Sequence, residues 1–79
     1  MENMKDLVKK ALVEVNENTR DKLDSNTLIS DGVLDSLDIM NLIIKLEEEF
    51  EIEIDPEDVL SENFESIDTI VALINKCKN

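Results

Sequence analysis

Apolar residues recur at three- and four-residue spacing in three stretches of the chain, and a long polar stretch separates the first from the second. Met4, Leu7, Val8, Ala11, Leu12 and Val15 give the first stretch one apolar face and predict a helix over about residues 3–16. Asn3 is placed to cap it, and Asp6 falls in the first turn, where a negative charge is favoured. The stretch from Glu17 to Asp35 is rich in Asn, Asp, Ser and Thr and predicts a long loop. Leu23, Leu28, Ile29, Val33 and Leu34 are spread through it, so the loop is expected to be anchored and ordered. Gly32, the only glycine, marks a turn that needs an unusual backbone angle.

The second helix is expected over Ser36–Phe50, with Asp35 as N-cap and Asp38 at the third helical position. Spacing the residues at about 100° with Ser36 at zero places Ile39, Leu42, Ile43, Leu46 and Phe50 roughly between 240° and 340°, the core stripe. Asp38, Asn41, Lys45, Glu48 and Glu49 fall roughly between 120° and 220°. Leu37, Met40 and Ile44 lie at roughly 40° to 100°, a second apolar strip beside Ser36 that the core does not need.

Phe50-Glu51-Ile52-Glu53-Ile54 alternates like a strand, but no second run is available to pair with it, so an extended connector is expected. Asp55-Pro56-Glu57-Asp58 reads as the start of a short helix carrying Val59 and Leu60. Phe64 is expected as an anchor. A last helix over about residues 66–76 turns Ile67, Ile70, Val71, Leu73 and Ile74 inward. The pattern predicts an all-α fold: a small four-helix bundle of three longer helices and one short, in a single domain over residues 1–79.

A chain of 79 residues buries only about 60% of its unfolded surface, so the core is thin. Its single cysteine, Cys77, cannot form an internal disulfide. No apolar run is long enough to span a bilayer and no charged-then-apolar leader opens the sequence, so the expected location is cytoplasmic, without membrane insertion. The net charge of −12 is uneven. Residues 35–68 hold thirteen acids and one base, Lys45, whereas residues 1–34 hold seven acids and five bases. Such a field repels nucleic acid and steers basic protein surfaces toward the acidic half. Nucleic-acid binding also lacks its stacking aromatics.

Ser36 carries the candidate chemistry. A nucleophilic serine needs a general base, and the chain has no histidine, so no catalytic residue is assigned. An ester-linked phosphate at Ser36, in contrast, would sit at the positive end of a helix among unpaired N–H groups. Serine is also simply a good helix cap, although Asp35 already fills that role. Asp24-Ser25-Asn26 opens like a calcium loop, but Leu28 and Ile29 stand where a ligand and glycine are required, so no metal site is assigned.

Asp35-Ser36-Leu37-Asp38, followed by Leu46-Glu47-Glu48-Glu49-Phe50 and Ile52-Glu53-Ile54, resembles the acyl carrier protein family over nearly the whole chain. The resemblance implies that Ser36, flanked by Asp35 and Leu37, receives 4′-phosphopantetheine from coenzyme A through a phosphopantetheinyl transferase of the holo-carrier-synthase type. It implies a monomeric, non-enzymatic carrier whose acyl groups pass as thioesters between acyl-transferring and condensing enzymes with basic docking patches. Asp35, Leu37, Asp38, Met40, Ile44, Glu47 and Glu48 match the family's docking surface, and Ile39, Leu46, Ile54, Val59 and Phe64 an acyl cleft. Asp31-Gly32-Val33-Leu34-Asp35-Ser36 places glycine four residues before the serine, which resembles specialised carriers, including D-alanyl, polyketide and nonribosomal peptide carriers. The alternative from another class is an acidic helical adaptor that carries nothing.

Overall fold

In the computed structural model, which describes residues 3–78, three α-helices are joined by segments that contain 3₁₀ turns. Helix α1 spans Met4–Val15, α2 Ser36–Phe50 and α3 Ile67–Cys77. The turns are Glu17–Lys22, Pro56–Asp58 and Ser61–Phe64, and among the described residues there is no strand. The molecule is 18 Å across its thinnest direction, under two helix diameters of about 10 Å, so every helix keeps a face to solvent.

Local chemistry sets the helix starts. The Asn3 side chain accepts from the Asp6 N–H at 2.9 Å, and α3 opens on a capping box between Ser66 and Thr69. At its far end α2 stops where Glu51 turns left-handed, with φ +52°, a conformation that costs a residue with a Cβ about 1 kcal/mol. Residues 52–55 then form neither helix nor strand, a connector as the sequence implied.

Helix α1 packs against both α2 and α3. Val8 and Leu12 meet Leu42 and Leu46 of α2 and Ile70 and Ile74 of α3 in one core, which Leu28, Leu34, Ile54 and Phe64 complete from the connecting segments. The long loop is therefore anchored as expected: Leu28 and Leu34 are buried, while Leu23, Ile29 and Val33 pack on the core from its edge. Gly32 supplies the turn with φ +75°. The loop also contains the unforeseen 3₁₀ turn Glu17–Lys22, where buried Thr19 donates its hydroxyl to the Asn16 carbonyl at 2.8 Å.

The bundle class holds, but the short helix expected around Val59 and Leu60 is split. Pro56–Asp58 forms one 3₁₀ turn, capped by Asp55, and Ser61–Phe64 another. Val59 and Leu60 lie between them, non-helical and 40% and 48% exposed. Asn63 donates to the Asp58 carbonyl at 2.7 Å and Lys76 pairs with the Asp58 carboxylate at 2.6 Å. The Asn63 amide thus takes the carbonyl that a continuing helix would offer to the Glu62 N–H.

Candidate functional site: the start of helix α2 and its groove

A reciprocal capping box defines the entry to α2. Asp35 Oδ1 accepts from the Asp38 N–H at 2.9 Å, and Asp38 Oδ2 accepts from the Asp35 N–H at 3.3 Å. Asp38 Oδ2 also receives the Asn16 side-chain amide at 2.9 Å, and the same amide donates to the Val33 carbonyl at 3.0 Å. Asn16 thus ties the end of α1, the end of the loop and the start of α2 together. Ser36, the first residue of α2, is exposed. Among the described residues its hydroxyl has no hydrogen-bond partner, and neither do the N–H groups of Ser36 and Leu37. Two backbone donors at the positive end of the helix are left for an external acceptor. Lys45 is held by Glu14 of α1 at 2.8 Å, and that pairing raises the lysine's pKa and lowers the glutamate's.

The spare apolar strip is real: Leu37, Met40 and Ile44 are 65%, 62% and 53% exposed. The acids expected beside it are not equivalent. Asp35 and Asp38 turn their carboxylates onto backbone and Asn16, and Glu47 Oε2 accepts from the Ile54 N–H at 3.0 Å. Of the four, Glu48 alone is exposed with no such bond.

Beside Ser36 a groove of about 500 Å³ opens. Asp35, Ser36, Ile39 and Met40 line it from α2, Ile29 and Leu34 from the loop, and Val59, Leu60, Ser61 and Phe64 from the segment after α2. Of the expected cleft residues, Ile39, Val59 and Phe64 line the groove; Leu46 and Ile54 are buried in the core and do not. Ile29, Leu34, Met40 and Leu60 were not foreseen there. Leu37 does not line the groove and belongs to the exposed strip. Among the described residues no cluster of side chains is suited to a metal ion, and no helix is long and apolar enough to cross a membrane.

A family model described as "Phosphopantetheine attachment site" matches residues 6–74, most of the chain. No curated protein and no solved structure gives a significant match.

Proposed function

The chain belongs to the phosphopantetheine-attachment family, and from that premise we propose that Ser36 is the attachment point and that the chain carries acyl intermediates as thioesters. The observation that carries this reading is one residue in two settings: Ser36 is exposed at a helix start and also lines an apolar groove. The residues fit the group. The two free N–H groups suit its phosphate, and the nearby Asp35 and Asp38 carboxylates, which would repel it, are turned onto other donors. When bound, the arm supplies a terminal thiol that holds cargo as a thioester.

The chain's own part in attachment is to present the nucleophile. Ser36 Oγ attacks the phosphorus of coenzyme A that bears pantetheine, the bond to adenosine 3′,5′-bisphosphate breaks, and the hydroxyl proton leaves to a base on the transferase. Among the described residues Lys45 is committed to Glu14, and the Asp35 and Asp38 carboxylates accept N–H groups at the helix cap. The groove lining, apolar except for Asp35, Ser36 and Ser61, suits an aliphatic acyl cargo. The Leu37, Met40 and Ile44 strip with Glu48 beside it suits cytoplasmic acyl-transferring and condensing partners that offer an apolar patch rimmed by basic residues. Fatty-acid, polyketide or related biosynthesis would use such a carrier, itself not an enzyme.

Incubation with coenzyme A and a phosphopantetheinyl transferase tests the reading. The intact mass should rise by one arm, and Ser36→Ala should take up none. An adaptor that carries nothing would show no adduct with several transferases and would bind its partner equally well as Ser36→Ala.

A further inference from the structure

The groove beside Ser36 is walled by two segments remote in sequence: the turn bearing Ile29 and Leu34, and the stretch from Val59 to Phe64. One side chain fastens them. Glu65 Oε1 accepts from the Ile29 N–H at 2.7 Å and the Ser30 N–H at 3.0 Å, while Oε2 accepts from the Ser30 hydroxyl at 2.5 Å. Ile29 is itself bonded to the clasp, and Phe64 is one residue from it. Other polar bonds of this turn are internal, among them Asp31 N–H to the Thr27 carbonyl, Gly32 N–H to the Ile29 carbonyl, Val33 and Leu34 N–H to the Leu28 carbonyl, and the Thr27 hydroxyl to the Asp31 carboxylate, while the Asn16 amide holds the Val33 carbonyl from α1. They stiffen the turn without attaching it to the opposite segment. Beyond the carboxylate, the direct hydrogen bond between the two is Leu28 N–H to the Glu65 carbonyl, at 2.9 Å. Without the carboxylate, the turn becomes a stiff flap held by that bond, by the Asn16 amide on the Val33 carbonyl and by the burial of Leu28 and Leu34.

We propose that Glu65 is a positioning residue for the cargo: by clasping the Ile29–Ser30 turn to the Ser61–Phe64 turn, it sets the opening into which a thioester-bound acyl chain enters. The proposal rests on the reading that Ser36 bears the arm and that the groove takes the chain. Glu65 touches neither; it acts through Ile29 and Phe64. A closed clasp holds two apolar walls at a spacing that a chain can fill, and a released one lets the turn move away and cargo burial fall.

Butyryl- and octanoyl-coenzyme A with a phosphopantetheinyl transferase load the native chain, Glu65→Ala, Glu65→Gln and Ser30→Ala, and each is melted loaded and unloaded. Comparing loaded with unloaded forms of one variant removes any general loss of stability. In the native chain octanoyl should raise the midpoint above butyryl by roughly 5–10 °C, from four methylenes at partial burial. Glu65→Ala should lose more than half of that gain. Glu65→Gln, whose amide oxygen still accepts both N–H groups, should keep most of it, and Ser30→Ala should fall between; these two also carry the test if Glu65→Ala does not fold. A full gain in Glu65→Ala, or in both Glu65→Gln and Ser30→Ala without the graded order, overturns the role of Glu65. Equal midpoints for the two cargoes in the native chain overturn the groove as their site, and a missing mass adduct overturns attachment itself. The three failures are read on separate measurements.

Discussion

Replacing Asp38 by alanine separates a structural acid from a docking acid. Its carboxylate accepts the half-buried Asn16 amide at 2.9 Å and closes the capping box on the Asp35 N–H at 3.3 Å. A hydrogen bond to a charged acceptor contributes about 1.5–3 kcal/mol, and the longer bond less. The negative charge in the first turn adds about 0.3–1 kcal/mol through the helix dipole. Alanine returns about 0.5 kcal/mol in helix propensity. The expected net loss is about 2 kcal/mol, a large share of the roughly 4–12 kcal/mol that a domain of this size holds. With a urea slope of about 1 kcal/mol/M, the unfolding midpoint should fall by about 2 M. Asn16→Ala should cost a similar amount, and the double variant should fall short of the sum by about 1 kcal/mol or more, because both lose one contact. Glu48→Ala, exposed and without a hydrogen bond, should stay within about 0.5 kcal/mol of the native chain. If Asp38→Ala were as silent as Glu48→Ala, or if the two losses added fully, the linkage of α1 to the start of α2 through Asn16 would be refuted.

Glu51→Gly should stabilise the fold by about 1 kcal/mol, seen as a rise of several degrees in melting temperature, because the helix ends there at φ +52°. Met40→Ser and Ile44→Ser should leave stability within about 0.5 kcal/mol yet slow arm transfer to Ser36 about tenfold or more in initial-rate assays, since both side chains are exposed and free for a partner. Hydrogen bonds from the Ser30 hydroxyl and N–H, then from the Ile29 N–H, hold the Glu65 pKa below its ordinary 4.5. A depressed carboxylate contributes stability above the unfolded value and loses it as pH falls through the folded one. Denaturation curves of the native chain and Glu65→Gln should therefore converge as the pH is lowered below 4.5, and a gap independent of pH would contradict that bonding.

What could be read from the sequence was local. The bounds of α2 were legible because Asp35 and Asp38 form a box within four residues, and the Leu37, Met40 and Ile44 strip because a helix converts spacing into direction. The acidic surface expected beside that strip was legible only as composition. Asp38 looks like a surface acid until Asn16, 22 residues earlier, is brought onto it. The groove shows the same limit: Ile39, Val59 and Phe64 were found, but Ile29 and Leu60 meet them only after the loop folds back. Leu46 and Ile54 fit the apolar pattern equally well and went to the core. The Val59–Leu60 helix did not form, and the Asp58 carbonyl that it would use accepts the Asn63 side chain instead. Glu65, one more acid among twenty, carried no local mark of its bonds to Ile29 and Ser30.

In the function proposed, one hydroxyl, at the start of α2, bears the arm. Fragmentation of the intact modified chain in the mass spectrometer tests it most directly, because Ser25, Ser30, Ser61 and Ser66 offer hydroxyls elsewhere in the same molecule. Fragments containing Ser36 should carry the whole phosphopantetheine mass, and fragments lacking it should carry none. An arm found on any other serine, or divided between two, would contradict that function.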